Sequence, residues 1–277
     1  KSVPEVDTVI SFAPRESVFS VAAKLRGKFE VAVLFPNSLR SALEAWLAGI
    51  PRRVGFRGHR RARLLNQIIP ERKKKQAVKP EHHADRYWRI AERCGATEPP
   101  ELPRRTPPAA GPGIIGICPG AEYGGAKRWP ADRFRKAMEL VSAASPCRWV
   151  ILGTAADQGL ARAICEGFNG QVEDLTGKTS LDELVTRLSG LSALLTNDTG
   201  TMHLADWLGI PLVAVFGSTE PRLTGPRSAR STVLRHQVEC SPCFERECPL
   251  DFRCMKAVSP GEAAEALLRI VSGEPPP

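Results

Sequence analysis

The sequence has 277 residues, of which 42% are hydrophobic and 25% charged, values typical of a soluble globular protein with one or two domains. No apolar run approaches the ~20 residues that a membrane-spanning helix needs, and no signal peptide opens the sequence. These features argue against a membrane-spanning or secreted protein and favour a cytoplasmic one.

The formal net charge of +9 is concentrated in one basic stretch, residues 51–80. The chain has 39 basic and 30 acidic residues, and this stretch contains eleven of the basic residues and one of the acidic. The rest of the chain, with 28 basic and 29 acidic residues, is nearly neutral. A local excess of this size predicts a polyanionic partner such as nucleic acid, anionic lipid or a phosphorylated glycan, or else a solvated loop. The stretch has one Phe and neither a zinc-finger nor an RNP-like pattern, so the reading of bases is not indicated.

Alternating strand and helix patterns predict a first α/β domain over residues 1–105. Strands are predicted at residues 8–13, 29–35 and 53–56, and helices at residues 18–26, 36–46 and 81–94. Residues 97–112 are rich in proline and poor in apolar side chains, which predicts a linker to a second domain.

Residues 106–277 form the second predicted domain, with repeated strand–helix units whose strands end in polar turns. Strands are predicted at residues 114–118, 148–152, 174–175, 191–196 and 212–216, and helices at residues 131–144, 158–168, 180–188 and 261–271, with a further short helix between the last two strands. In open parallel sheets ligands bind at the carboxyl ends of strands, where helix N-termini attract anions. The repetition therefore favours a nucleotide-binding domain.

Two of these turns carry residues suited to a phosphate. A glycine-rich turn over residues 119–125 leads to Lys127, although no Walker motif is present. Residues 197–200 supply helix-capping oxygens and a glycine where a helix begins, and His203 lies one turn into that helix. An ordinary capped helix and a packing histidine remain the alternative interpretation.

Four cysteines form a C-x2-C-x4-C-x5-C cluster near the end of the chain. Three states stay open: a structural metal such as zinc or an iron–sulfur centre, a disulfide that a reducing compartment disfavours, or packed thiols. The residues are Cys240, Cys243, Cys248 and Cys254.

Three segments resemble, in order, hallmarks of the ADP-heptose:lipopolysaccharide heptosyltransferases: PGAEYGGAKRWP (119–130), TNDTGTMHLADWLGIPLVAVFGSTEP (196–221) and CSPCFERECPLDFRCM (240–255). Residues 35–58 resemble the acceptor domain of the heptosyltransferase II branch. The resemblance implies the GT-B class, an α/β architecture of two Rossmann-like domains with parallel sheets facing a central cleft. It implies transfer of heptose from ADP-heptose to Kdo-lipid A or heptosyl-Kdo-lipid A of the lipopolysaccharide inner core. This reaction takes place in the cytoplasm at the inner membrane surface, with no nucleic acid partner and no cofactor for the chemistry.

The resemblance also implies roles for individual residues of the second domain. Lys127 offsets the charge on departing ADP, and Asp198 accepts hydrogen bonds from heptose hydroxyls, a role compatible with a mere helix cap. The remaining implied donor contacts are Glu122, Tyr123, Asp157, Thr199, Gly200 and His203.

In the first domain the implied acceptor site is basic, because the acceptor carries carboxylates and phosphates. Its predicted residues are Asn37, Ser38, Arg40, Arg57, Arg60, Arg61 and Arg63. Lys73–Lys75 are expected on a solvated loop that aids peripheral membrane association.

The family's general base is an aspartate in a Gly-Asp pair after the first strand, and this sequence contains no Gly-Asp dipeptide. We therefore expect the base, and the first βα unit that carries it, to lie upstream of Lys1. Two alternatives to an active transferase stay open: a catalytically inactive nucleotide-sugar-binding remnant, and a nucleic-acid-binding protein with a metal knuckle.

Overall fold

A computed structural model describes residues 6–58, 60–71, 80–99, 113–168 and 170–274. These residues fall into two compact units, residues 6–99 and residues 113–274. The predicted domain boundary after residue 105, most of the predicted linker and Lys73–Lys75 lie outside the described residues.

Residues 6–99 form a parallel three-stranded sheet with three helices. The strands, in spatial order, are β1 (Val31–Leu34), β2 (Arg52–Phe56) and β3 (Gln67–Ile69). The helices are α1 (Val18–Leu25), α2 (Leu39–Leu47) and α3 (His83–Arg93). Ser17 and Ser38 begin α1 and α2 by accepting hydrogen bonds from backbone amides three residues on, which is the capping expected of serine.

The strand predicted at residues 8–13 is wrong. This segment pairs with no strand among the described residues, and the side chains of Val9 and Phe12 are 80% and 40% exposed. An apolar pattern alone does not create a strand, because backbone N–H and C=O groups need a neighbouring strand to pair with. Conversely, β3 was not predicted, since it is three residues long and lies within the basic stretch.

Residues 113–274 contain a parallel six-stranded sheet with the order β6-β5-β4-β7-β8-β9. The strands are β4 (Gly113–Cys118), β5 (Cys147–Ile151), β6 (Val172–Asp174), β7 (Ala193–Asn197), β8 (Leu212–Val215) and β9 (Ser231–Leu234). The helices are α4 (Ala131–Ala144), α5 (Gln158–Cys165), α6 (Leu181–Ser189), α7 (Gly200–Trp207), α8 (Pro221–Thr224), α9 (Arg253–Ala257) and α10 (Pro260–Ser272).

Both faces of this sheet are buried, which explains why the strands read as continuous apolar runs. Side chains alternate between two cores: Leu195 and Val213 pack with α4, α5 and α10, whereas Leu194 and Leu212 pack with α6 and α7. The predicted doubly wound α/β domain is therefore confirmed.

The strand order reverses between β4 and β7. From β4 the chain moves outward through β5 and β6, and from β7 it moves in the opposite direction through β8 and β9. In sheets of this kind the loops that leave the two central strands diverge and open a crevice at their carboxyl ends. Here those ends are Cys118 and Asn197. Among the described residues no helix combines the length and apolar character needed to cross a bilayer.

Candidate functional site

A cavity of about 530 Å³ lies at the carboxyl ends of β4, β5 and β7. Its walls come from the turns that follow β4, β5 and β6 and from the first turn of α7. The lining residues from these elements include Gly120, Glu122, Arg128, Gly153, Thr154, Asp157, Gly177, Ser180, Leu181, Thr199, Gly200 and Thr201. All of them belong to the second unit, so the site can be described from this unit alone.

The first turn of α7 forms one wall of the cavity. Thr199 caps the helix by accepting a hydrogen bond from the amide of Met202 at 3.3 Å. The amides of the first helical turn have no carbonyl partner within the helix, and the helix dipole places partial positive charge there. The wall made by Thr199, Gly200 and Thr201 is therefore suited to a phosphate.

Lys127 and Asp198 form an ion pair beside this helix start, with 2.6 Å between Nζ and Oδ2. Thr219, from the loop after β8, donates a hydrogen bond to the same carboxylate oxygen at 2.8 Å. Asp198 is 5% exposed. A buried carboxylate needs partners of this kind, and through it Lys127 is held next to the start of α7. Neither Lys127 nor Asp198 lines the cavity itself. Each directly precedes a residue that does, since Arg128 follows Lys127 and Thr199 follows Asp198.

Asn197 ties the two central turns together. Its Oδ1 accepts a hydrogen bond from the amide of Trp129 at 3.1 Å, and its Nδ2 donates one to the carbonyl of Pro119 at 2.7 Å. Asn197 is fully buried. One side chain therefore holds both ends of the turn that carries Lys127. In the sequence Asn197 was recognised only as part of a capping turn.

Asp157, a predicted donor contact, lines the cavity, and its carboxylate is already engaged by neighbouring groups. Oδ2 accepts hydrogen bonds from the amide and hydroxyl of Thr154 at 2.9 and 2.8 Å, and the Arg128 guanidinium lies 3.6 Å from Oδ1. A Cβ at Gly120 would come within 2.5 Å of the Asp157 carboxylate, so a larger residue there would displace this carboxylate from its present position. Arg128 and Thr154 were not predicted, although Arg128 directly follows Lys127.

Of the other predicted donor contacts, Glu122 lines the cavity, whereas Tyr123 and His203 do not. The Tyr123 ring lies under Lys127, with Nζ 4.9 Å from its centroid, and its hydroxyl donates to the carbonyl of Phe244 at 2.8 Å. Tyr123 therefore contacts Lys127 rather than the cavity. His203 is exposed on α7, beyond the residues of the helix start.

The loop after β8 contains a second group of charges around Glu220. The Arg222 Nε donates to one carboxylate oxygen at 2.9 Å, and the Arg235 Nη1 donates to the other at 3.0 Å. The hydrogen bonds from Arg222, followed by those from Arg235, lower the pKa of Glu220 from 4.5 to about 2. This residue lies next to Thr219, so the ion pairs fix the loop that supports Asp198.

In the first unit, the expected acceptor role of Arg61 does not fit its position. Arg61 is fully buried, and its guanidinium donates to the carbonyls of Phe56 and Pro36 and to Oδ1 of Asn37. With its N–H groups satisfied in the interior, Arg61 is not available to a ligand. The basic stretch gave no sign of this, because charged runs are mostly solvated.

The remaining acceptor residues keep accessible positions. Arg57, Arg60 and Arg63 are exposed, Asn37 is half-buried against Arg61, and Ser38 is exposed as the cap of α2. Arg40 is exposed and pairs with Glu44 at 2.7 Å.

The four clustered cysteines are free thiols, so the disulfide alternative is not observed. Burial raises the pKa of Cys254, with smaller contributions from the other three thiols of the cluster. In the part of the chain that the structure describes, no group of three or more Cys, His, Asp or Glu side chains is arranged to hold a metal ion. Packed thiols are therefore the arrangement that the described residues show, and the structural metal stays a prediction.

Comparison with known proteins places this geometry in a family. The sequence matches glycosyltransferase family 9 (heptosyltransferase) over residues 18–252. The chain belongs to this glycosyltransferase family. The predicted family and enzyme class are thereby confirmed.

Individual relatives agree with the assignment. The chain is 29% identical to lipooligosaccharide heptosyltransferase 2 of Haemophilus influenzae over 266 residues, covering 84% of this chain and 75% of that protein. It is 32% identical to lipopolysaccharide heptosyltransferase 2 of Escherichia coli over 236 residues, covering 75% of this chain and 65% of that protein. Among solved structures, ADP-heptose LPS heptosyltransferase II of E. coli matches with a TM-score of 0.74 and 28% identity, covering 92% of this chain and 80% of that chain. The structural match confirms the GT-B fold class.

Proposed function

We propose that this family 9 glycosyltransferase transfers heptose from ADP-heptose to the inner core of lipopolysaccharide. The observation that carries the proposal is the Lys127–Asp198 ion pair, which lies beside the N-terminus of α7 at the strand-order reversal. A cavity walled by the amides of a helix start, with a fixed ammonium group beside that helix start, suits a nucleoside diphosphate. The names of the relatives add the sugar, since both are heptosyltransferases that act on lipo(oligo- or poly)saccharide.

In the proposed reaction an acceptor hydroxyl displaces ADP from the anomeric carbon of heptose. Lys127 offsets the charge that accumulates on the departing diphosphate, and Thr199 and Gly200 hold its phosphates through backbone amides. Asp198 accepts hydrogen bonds from heptose hydroxyls. Glu122 and Asp157 lie at the nucleoside end of the cavity. Positive charge from Lys127 and the helix start takes the role of a metal, so we propose that the chemistry needs no cofactor.

We propose that the acceptor binds at the exposed basic residues of the first unit and at the polar residues beside them. Arg57 and Arg60 are exposed next to the carboxyl end of β2, and Asn37 and Ser38 follow the carboxyl end of β1. Kdo carboxylates and lipid A phosphates would be attracted to such charges. The same charges favour peripheral contact with the anionic inner face of the inner membrane, which places the proposed enzyme in the cytoplasm.

Titration of the chain with ADP and, separately, with a short single-stranded oligonucleotide tests the donor site. We expect ADP to bind and the oligonucleotide to bind weakly, with an affinity that falls steeply as salt is raised. Tight oligonucleotide binding without ADP binding would contradict the proposal and favour the nucleic-acid-binding alternative.

Turnover separates the transferase from a nucleotide-sugar-binding remnant. The assay uses the protein expressed from its whole coding region. We expect ADP release from ADP-heptose that depends on Kdo-lipid A or heptosyl-Kdo-lipid A. ADP-heptose binding without release in the presence of either acceptor would favour the remnant.

A further inference from the structure

The Cys-rich segment, residues 240–254, has no role in the proposed function so far, yet it packs directly on the turn that carries Lys127. We call residues 119–129 the lysine turn. Three hydrogen bonds join the two: the Ala126 amide donates to the Arg246 carbonyl at 2.9 Å, the Gly125 amide to Glu247 Oε1 at 3.2 Å, and the Tyr123 hydroxyl to the Phe244 carbonyl at 2.8 Å. All three donors lie within the four residues that precede Lys127.

The approach of the two backbones is close enough to require glycine. Gly124 has φ 154°, and a Cβ built on it would lie 2.2 Å from the Arg246 carbonyl oxygen. A contact of this kind needs both the conformational freedom and the small size of glycine. Gly124 belongs to the glycine-rich turn that on sequence alone suggested close approach of a phosphate, and here it admits the backbone of the Cys-rich segment.

The other side of the Cys-rich segment rests on the loop after β8. The Phe244 amide donates to the Ser218 carbonyl at 2.9 Å, and the Ser241 hydroxyl donates to the Gly217 carbonyl. The next residue of that loop is Thr219, which donates to Asp198. The segment thus contacts both polypeptide stretches that position the Lys127–Asp198 ion pair.

We propose that the Cys-rich segment positions the lysine turn for the donor diphosphate, and that Glu247 is a positioning residue for Lys127. The inference rests on the proposed function, because it assigns the segment to the same donor site. Glu247 acts through the Gly125 amide. Without that acceptor the Gly125 amide bonds to water instead, and the short turn that sets the direction of the Lys127 side chain loses one of the hydrogen bonds that fix it. Two cation–ring contacts also link the segment to Lys127. The Arg246 guanidinium lies 5.2 Å from the centroid of the Tyr123 ring, and the Lys127 ammonium group lies 4.9 Å from the same centroid.

Binding of ADP and AMP, measured by calorimetry on the chain and its variants, tests the role of Glu247. An ammonium group directed at the diphosphate distinguishes ADP from AMP, which lacks the second phosphate. We expect Glu247→Ala to weaken ADP binding about tenfold and to change AMP binding less than twofold. Glu247→Gln, whose carbonyl oxygen can still accept from the Gly125 amide, should restore most of the ADP affinity. Glu245→Ala removes an equal charge from an exposed position of the same segment and is the matched control.

A double-mutant comparison shows whether Glu247 acts through Lys127. In the Lys127→Ala background, Glu247→Ala should leave ADP affinity unchanged within twofold, because coupled residues are not additive. Gly124→Ala, which drives the Arg246 carbonyl away from the turn, should reproduce the selective loss of ADP affinity and supplies an independent measurement should Glu247→Ala fail to fold.

Several results would overturn the inference. These are equal losses of ADP and AMP affinity in Glu247→Ala, additive losses in the double variant, or wild-type ADP affinity in both Glu247→Ala and Gly124→Ala. Failure of the unaltered chain to bind ADP is a different result, since it would remove the proposed donor site and with it any role for the segment there.

Discussion

A buried guanidinium is stable only when its N–H groups meet acceptors. Arg61 meets them in the carbonyl of Phe56, the last residue of β2, and in that of Pro36, two residues after β1. The close fit extends to Gly58, where φ is 53° and a Cβ would lie 2.8 Å from the Arg61 Nε. Arg61 therefore organises the loops at the carboxyl edge of the first sheet, close to where the acceptor is proposed to bind.

Arg61→Ala should strongly destabilise the first unit. Its removal leaves the buried Phe56 carbonyl and the Pro36 carbonyl without these donors and creates a cavity, so we expect a loss of about 2–4 kcal/mol in the free energy of unfolding. Urea denaturation measures this loss. The control is Arg60→Ala, an exposed neighbour of the same charge, which should change the free energy by less than about 0.5 kcal/mol. Equal stability of the two variants would contradict the structural role of Arg61.

Asp198 offers a second comparison at single-residue scale. Asp198→Ala removes both the partner of Lys127 and the proposed acceptor for heptose hydroxyls, so the affinity for ADP-heptose should fall at least about tenfold. Asp182→Ala, at an exposed position in the first turn of α6, should leave the affinity within about twofold. Competition between ADP-heptose and a fluorescent ADP derivative measures both. Equal effects of the two substitutions would remove Asp198 from the donor site.

Among the structural elements, the lysine turn owes its position to β7 as well as to the Cys-rich segment. Asn197 at the end of β7 bonds both ends of this turn from a fully buried position. Asn66 makes a similar pair of bonds in the first unit, to the Arg53 amide and the Pro51 carbonyl, from an exposed position.

Asn197→Ala should therefore lower the free energy of unfolding by about 2–4 kcal/mol, because it leaves the buried Trp129 amide and the buried Pro119 carbonyl without a partner. Asn66→Ala should cost less than about 1 kcal/mol, because water replaces the lost partners. Urea denaturation of each variant, followed for the unit that carries the substitution, measures the difference. Similar costs would show that the buried position of Asn197 does not matter.

The ion pairs in the loop after β8 should make the free energy of unfolding depend on pH in acid. Because hydrogen bonds from Arg222 and Arg235 lower the pKa of folded Glu220 from 4.5 to about 2, the unfolded chain takes up a proton at higher pH than the folded chain. The stability that Glu220 contributes is complete above pH 4.5 and is lost as the pH falls toward about 2. Between about pH 5 and pH 2 the free energy of unfolding should fall in both proteins, and the fall should be smaller in Glu220→Gln by on the order of 1 kcal/mol. Parallel curves of unfolding free energy against pH would contradict this.

How far the sequence predicts each element depends on how local its determinants are. Helix α4 was predicted with both of its ends, since Pro130 and the apolar spacing of its own residues define it. β9 was not predicted, because it is a polar, half-exposed edge strand that exists only by pairing with β8. The cavity wall at Thr199 and Gly200 followed from capping chemistry, whereas the burial of Arg61 and the contacts of Tyr123 depend on residues far along the chain.

On the scale of the whole molecule, the charge is the dominant feature. The basic stretch has a net charge of +10, eleven basic residues less one acidic, and the rest of the chain has −1, so the stretch accounts for the whole net charge of +9. Its described exposed arginines include Arg57, Arg60 and Arg63. Near an anionic membrane each such charge contributes about 1 kcal/mol, and we therefore propose that the stretch brings the protein to a lipid surface at low salt.

Binding to vesicles of phosphatidylglycerol and phosphatidylethanolamine tests this. We expect Arg57→Glu/Arg60→Glu to reduce the fraction bound in a sedimentation assay at least about tenfold, with binding lost as salt is raised. The control Arg148→Glu/Arg162→Glu makes the same change of charge at exposed positions of the second unit and should have a smaller effect. Equal reductions would mean that net charge, rather than the basic stretch, determines membrane contact.

The long reach of the contacts around the lysine turn sets the order in which the site is made on the ribosome. The Trp129 indole donates to the Val258 carbonyl at 3.2 Å, and the Ala126 amide donates to that of Arg246 at 2.9 Å. Lys127 is thus synthesised more than a hundred residues before Arg246 and Val258, although Asn197, which bonds both ends of the turn, follows sooner. A nascent chain that ends before residue 240 contains every strand of the second sheet and still lacks the segment that fixes this lysine. Nucleotide affinity would therefore be acquired late, after the sheet is complete, and would report that the final segment has docked.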